Sequence, residues 1–258
     1  MAKPPPRLFL PSDLEAGAGL PLDGARWHYL HNVLRLGEGD EVLLFNGRDG
    51  EWRAHIQGAE KRRGAVTLSV QTREQVTVPD LTLLFAPLKK DPTELIIQKG
   101  TELGVRSFQP VVTRRTQLAK GGLKADRLEI IAMEAAEQCE RLDLPQIAEP
   151  VPLEAALDAL PSGTRLVFCD EAGDASDQRW GGEHGRATPM ATRLADAETG
   201  GPWALLIGPE GGFSPEERAM LRERDGVLAV SLGPRILKAE TAAIAAITIL
   251  QAHQGDFR

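Results

Sequence analysis

The stretch "LLIGPEGGFSPEE", residues 205–217, governs how the rest of the chain is read. An apolar run, Leu205 to Ile207, breaks at a glycine-rich turn, and helix signals follow at once. Ser214 with Glu217 forms a capping-box pattern, and Pro215 stands where a first helical residue is favoured. The order is therefore strand, tight turn, helix N-terminus. Gly208, Gly211 and Gly212 permit positive φ and carry no side chain, so a ligand can approach backbone amides. Turns of this kind often cradle phosphate. This one lacks the Lys-Ser/Thr ending of a phosphate-binding loop and the glycine spacing of a dinucleotide fingerprint. It also carries Glu210, which repels phosphate. A neutral or cationic ligand fits better. The plainer alternative is a turn that needs glycine for geometry alone.

A second loop of the same kind lies downstream. The strand-like run "VLAVSL" breaks at Gly233-Pro234, and "LGPRILKAETAAIAAITIL", residues 232–250, leads into a long Ala-rich helix from Glu240-Thr241. Its small side chains suit a close helix contact in a subunit interface, or a plain core helix. In parallel α/β sheets ligands bind beyond the carboxyl ends of the strands, so two such loops side by side would form one pocket.

Upstream, "LTLLFAPL", "FQPVVT", "RLVFCD" and "WALLIG" read as buried strands. Helical stretches separate them. One is opened by Asp91-Pro92-Thr93-Glu94 as a second capping box and closed by Gly104; another runs from about Asp126 to Glu140. The alternation predicts a mostly parallel α/β sheet over residues 78–258. Residues 171–201 are polar and rich in Gly, Ala and acidic residues, and much of that stretch reads as a long mobile loop. Before Val78 the pattern is β. "EVLLFNGRDGEWRAHIQ" reads as a hairpin, "AVTLSVQ" as a further strand, and a helix over Ala25–Leu36 stops at Gly37. Residues 1–72 are thus predicted to form a small β-barrel domain.

Composition excludes several classes. No apolar run reaches the ~18 residues that span a bilayer, and the N-terminal stretch lacks a signal-peptide core. Cys139 and Cys169 make neither a disulfide framework nor a metal site, and His28 and His31 have no further ligand beside them. A cytoplasmic protein without a metal is expected. The net charge of −7 weighs against a nucleic-acid partner. Within "RRTQLAKGGLKADR", residues 114–127, however, Arg114, Arg115, Lys120, Lys124 and Arg127 are opposed only by Asp126. That stretch could follow a polyanion, or be a solvated basic loop.

The paired loops "LLIGPEGGFSPEE" and "LGPRILKAETAAIAA" resemble those of the SPOUT methyltransferases. Together with "RLFL", "WHYLHNVLRLGEGDEV", "LIIQKGTELGV" and "EAAEQCERLDLPQI", the resemblance covers nearly the whole chain. It narrows to the family of 16S ribosomal RNA uridine N3-methyltransferases, which modify uridine 1498 of the small-subunit RNA. The chain departs from the family in its acidic net charge, its long polar segment 171–201, and Lys238 where arginine is common. The resemblance implies a SPOUT-type parallel α/β sheet with a C-terminal deep trefoil knot, preceded by a PUA-like β-barrel. It implies a homodimer, S-adenosylmethionine as cofactor, and 16S rRNA in the small ribosomal subunit as partner.

It also implies a site. Ile207, Gly208, Pro209, Glu210, Gly211 and Gly212, with Leu232, Gly233, Ile236, Leu237, Thr241 and Ala242, would hold the cofactor. A side chain at Gly211 is then expected to block the ligand, and arginine at Ala243 or Ala246 to break the dimer or unfold the chain. N3 of uridine is an imide N–H, so the reaction needs a proton acceptor and a donor for the charge left on O2 and O4. Arg141 and Arg235 are candidates for the second task, and Glu102 or Glu210 for the first. N3 lies on the pairing edge, so the base must be unpaired or extruded. Arg7 and Arg35 of the β domain, and Arg114, Arg115, Lys120 and Lys124 of the basic loop, would hold phosphates, the pair Arg114 and Arg115 without bearing on cofactor affinity. Three rivals stay open: a SPOUT methyltransferase for another nucleotide, a non-catalytic ribosome-assembly protein, and a nucleotide-dependent doubly wound enzyme. The missing phosphate-loop lysine counts against the last.

Overall fold

The structure, a computed structural model, describes residues 4–22, 24–60, 63–117, 122–171, 187–198 and 200–257. It divides into two compact units: Met1–Thr77 with Ala136–Leu144, and Val78–Ala135 with Pro145–Arg258.

The first unit is built on β1 (Arg7–Phe9), β2 (Gly19–Leu22), β3 (Glu41–Phe45), β4 (Glu51–Gln57) and β5 (Gly64–Arg73), in the order β1-β3-β4-β5-β2. β1 lies parallel to β3 and the other pairs are antiparallel. The predicted hairpin is β3–β4. Its turn is held by Asn46, whose side-chain oxygen accepts from the amides of Arg48 and Asp49. The helix expected over Ala25–Leu36 is shorter and irregular. α1 (Gly24–His28) winds into a π-helical turn, Tyr29–Val33, and Arg35 takes a φ of 62°, which ends the helix before Gly37. Trp27, Leu30, Val42, Leu44, Ile56 and Leu68 fill the core. A smaller cluster joins Ala136 and Leu142 to Phe45.

The second unit alternates strands and helices. In chain order these are β6 (Leu81–Phe85), α2 (Lys90–Glu102), β7 (Ser107–Val112), α3 (Ala125–Gln138), β8 (Gln146–Ile147), β9 (Val151–Pro152) and α4 (Leu153–Asp158). Then follow β10 (Arg165–Cys169), α5 (Met190–Ala195), β11 (Trp203–Ile207), α6 (Pro215–Glu223), β12 (Val227–Val230) and α7 (Ala239–Gln254). The sheet runs β12-β10-β11-β6-β7-β8, all parallel, with β9 added beside β7. Alternate residues feed two apolar layers. Leu83, Phe85, Val167 and Leu205 face one layer, and Leu84, Phe168 and Leu206 the other. All five residues of β11 are buried, as a strand covered on both faces requires.

One local expectation is corrected and two are made specific. α2 starts at Lys90 with no side-chain cap, so Asp91-Thr93-Glu94 is not a capping box. Asp91 sits exposed in the first turn, while the buried Thr93 hydroxyl bonds both the amide and the carbonyl of Leu88. Within the segment read as one long loop, Met190–Ala195 form a helix, because Met190 and Leu194 reach the core; residues 172–186 and 199 lie outside the described residues. Ala243 and Ala246 on α7 face the unit's own core, where α7 meets α2 and α5, so they are core positions. Among the described residues no helix is long and apolar enough to cross a membrane.

Candidate functional site

The carboxyl ends of β10, β11 and β12 and the start of α7 enclose a cavity of about 290 Å³. The turn after β11 contributes Ile207, Gly208, Pro209 and Glu210. The loop after β12 contributes Leu232, Arg235, Ile236 and Leu237, and α7 contributes Ala242. The two loops singled out in the sequence therefore do meet. Gly211, Gly212, Gly233 and Thr241 are not among the lining residues.

The glycines of the first turn divide by role. A Cβ at Gly208 would stand 2.6 Å from the Phe213 ring. Gly212 has a φ of 66°, and a Cβ there would collide with the Glu171 carboxylate. Both positions demand glycine for the fold. A Cβ at Gly211 would meet only the Arg115 side chain, at 3.5 Å. A side chain at Gly211 would therefore first meet Arg115, one residue beyond Glu210, where the cavity lining in this turn stops.

The turn is fastened on every side. Phe213 packs edge-on against Phe168. The predicted capping box is present: Ser214 Oγ accepts from the Glu217 amide, and Glu217 Oε2 from the Ser214 amide. Glu217 Oε1 also accepts from the Arg114 amide at 2.7 Å, and Arg115 Nη1 donates to the Gly211 carbonyl at 2.8 Å. Arg114 pairs with Glu216 at 3.1 Å on the surface. Hydrogen bonds from Ser214 and from its own amide, then the charges of Arg114 and Arg115, hold the Glu216 carboxyl below the usual carboxylate range.

Beneath the turn lies a feature the sequence reading passed over. Asp170, buried at the end of β10, accepts from Arg218 Nε and Nη2, each at 2.9 Å, and from Arg222 Nη2 at 2.7 Å. One carboxylate thus ties α6 to the sheet. Cys169, Asp170, Glu171, Val230, Lys238 and Ala239 also line the cavity. "RLVFCD" is a third strand end, and the rule that selected the other two would have selected it. Burial, then the charges of Glu171 and Asp170, push the Cys169 thiol up to about 12, so it stays protonated and serves as a small wall.

The cavity can hold a ligand that is part apolar and part zwitterionic. Ile207, Leu232 and Leu237 supply apolar walls, Glu171 and Glu210 acids, Arg235 and Lys238 bases. It does not suit a polyphosphate, since the α6 N-terminus already binds the protein's own Glu217.

The remaining candidates are dispersed. Glu102 pairs with Lys99 at 2.8 Å on α2 and is not a lining residue. Arg141 belongs to the first unit, where its buried guanidinium meets Asp143 at 2.6 Å. Arg35, Arg114, Arg115 and Lys124 are exposed, and Lys120 lies outside the described residues. Arg7 is corrected. Its side chain is buried against Glu51 at 2.7 Å, donates to the carbonyls of Ala136, Glu137 and Arg141, and covers the Phe45 ring. Those partners occupy the guanidinium, so it organises the first unit and is not offered to phosphate.

Comparison with known proteins gives this arrangement its class. Residues 75–251 match the RNA methyltransferase domain family, and residues 22–69 the RNA methyltransferase PUA domain. The parallel unit with its strand-end cavity, and the β unit before it, are those of an RNA methyltransferase. A ribosomal RNA small subunit methyltransferase E from Rickettsia conorii is 34% identical over 220 residues, 85% of this chain and 84% of its own. The crystal structure of a ribosomal RNA small subunit methyltransferase E from Neisseria gonorrhoeae bound to S-adenosylmethionine matches with a TM-score of 0.84 at 28% identity, covering 98% of this chain and all of that one. A Legionella pneumophila protein solved with S-adenosylmethionine matches with a TM-score of 0.82 at 29% identity, over 99% of this chain and 100% of the other. The chain belongs to the ribosomal RNA small subunit methyltransferase E family, a SPOUT family.

Proposed function

We propose that the protein methylates small-subunit ribosomal RNA with S-adenosylmethionine, and that the atom methylated is N3 of uridine 1498. The observation that carries the cofactor is the cavity between the turn after β11 and the loop after β12. Its residues fit the group. The backbone of Gly208 lines the cavity, and Ile207 and Leu237 can cover the faces of a flat aromatic base. Glu171 and Glu210 suit cationic centres, and Arg235 and Lys238 suit a carboxylate. Bound there, S-adenosylmethionine supplies an electrophilic methyl group.

The chain's own residues must manage the uridine. Of the two carboxylates considered, Glu210 lines the cavity while Glu102 is engaged with Lys99, so Glu210 is assigned the N3 proton. Arg235, exposed at the rim, is assigned the charge that develops on O2 and O4. A net charge of −7 gives little diffuse attraction for RNA, so local contacts at Arg35, Arg114, Arg115 and Lys124 must hold it. Purified small subunits should therefore be far better substrates than free uridine.

The test is nucleoside mapping by mass spectrometry of small-subunit RNA from cells lacking the protein. N3-methyluridine should vanish, return with the wild-type chain, and stay absent with Arg235→Ala. Loss of a different methylated nucleotide would assign the site to another base, and no loss at all would leave a non-catalytic RNA-binding protein.

The same reading includes the trefoil knot and a homodimer. The outward face of α7 carries Thr241, Ala245, Thr248 and Ala252, all small. Ala245→Arg with Thr248→Arg should convert a sedimenting dimer to a monomer with little loss of thermal stability. Wild-type protein that sediments as a monomer at micromolar concentration would contradict the dimer.

A further inference from the structure

Arg115 belongs to the basic loop, and its guanidinium rests on the cofactor turn. One donor, Nη1, bonds the Gly211 carbonyl at 2.8 Å, and its aliphatic stem lies against Gly211. The neighbouring amide of Arg114 is fixed by Glu217, a largely buried residue of the capping box. The loop at 113–116 is itself a closed turn, with the Thr113 amide donating to Thr116 Oγ1. The basic loop and the cofactor turn are therefore one connected piece. A guanidinium carries five N–H groups in a planar fork, so one edge can serve a carbonyl while another takes a phosphate. Arg115 is exposed, and its Nε and Nη2 have no protein partner among the described residues.

We propose that Arg115 is a positioning residue that couples RNA binding to cofactor binding: a phosphate on its free edge pins the guanidinium over Gly211 and fixes the turn that lines the cavity. This rests on the reading of the cavity as the S-adenosylmethionine site. It departs from the expectation that the Arg114 and Arg115 side chains act on RNA alone. The sign is positive, because the two ligands use different edges of one group and do not compete for it. Reciprocity then requires that cofactor strengthen RNA binding by the same factor. Arg114 differs. Among the described residues its side chain pairs with Glu216 on the surface, a contact worth little, and its tie to the turn runs through the backbone.

The experiment is equilibrium dialysis of labelled S-adenosylhomocysteine, which cannot transfer a methyl group, against the full chain with and without purified small ribosomal subunits. Wild-type affinity should rise about fivefold or more when subunits are present. Arg115→Ala should bind the nucleoside about threefold more weakly without RNA and lose the rise. Arg115→Lys, which keeps the charge but lacks the rigid planar fork that holds the carbonyl on one edge and the phosphate on another, should also lose the rise while still binding subunits. Arg114→Ala should bind subunits more weakly yet keep the rise. Wild-type protein that does not bind S-adenosylhomocysteine at all would remove the cofactor assignment. Wild-type affinity that ignores subunits, or an Arg115→Lys variant that keeps the full rise, would remove the coupling alone.

Discussion

The turn Gly208–Ser214 and the loop Leu232–Lys238 both leave the end of a parallel strand and both line the cavity, but they are held in opposite ways. The first is packed by Phe213, capped by Ser214 and Glu217, and bonded by Arg115. The second leaves Pro234, Arg235, Ile236 and Lys238 exposed, with Ile236 at 64% exposure. The lesson is a division of labour. One wall of the cavity exists before any ligand arrives, and the other offers apolar surface that a ligand or the RNA can cover. Substitutions at packed positions of the first, such as Gly208, should register in the protein's stability; substitutions in the second should register only in binding.

The largest expected effect lies beneath the first turn. Asp170→Asn leaves the guanidiniums of Arg218 and Arg222 without their shared charge, and breaking a buried pair costs about 3–5 kcal/mol. The melting temperature should fall by about 10 °C. A fall within error would mean that α6 is not fastened through this carboxylate. Next comes Gly208→Ala, whose Cβ drives into the Phe213 ring at a cost of about 1–3 kcal/mol. Calorimetry should show cofactor affinity falling at least about tenfold with it. In the second loop, Ile236→Ala should leave the melting temperature unchanged and weaken cofactor binding about tenfold, because Ile236 is exposed in the free protein and lines the cavity. Destabilisation of the free protein by this variant would erase the contrast between the loops. The smallest effect belongs to Gly211→Ala, expected within about 0.5 kcal/mol of wild type in denaturant unfolding, since its Cβ makes ordinary contact with Arg115.

What the sequence disclosed follows from what is local. Ser214, Pro215 and Glu217 act within one turn, so the start of α6 could be read directly. The apolar runs of β6, β10 and β11 announced buried parallel strands for the same reason. Failures came where distant contacts override local signals. Asp91 and Glu94 resemble a cap, but the buried Thr93 hydroxyl is claimed by Leu88, and the helix begins earlier. α5 hides in a polar stretch because two side chains, Met190 and Leu194, suffice to anchor it. Arg7 looks like any surface cation until Glu51, Phe45 and three carbonyls close around it. Half of the site was visible as glycine and proline punctuation. Asp170 was not, because a lone acid at a strand end acquires meaning only through arginines 48 and 52 residues away.

The strand order of the second unit also governs the chain as it is made. β11 sits between β6 and β10, with Trp203 beside both Leu81 and Arg165. Both neighbours of β10, β11 and β12, are synthesised after it. A nascent chain that has released Cys169 but not yet Ile207 therefore holds β10 with two unpaired edges and β6 with one. Unpaired edges invite pairing with other chains, and parallel pairing across such separations is slow. Translation from Cys169 to Ile207 is therefore the interval in which the central strands of the second unit stand with unpaired edges, and slowing synthesis there would lengthen it.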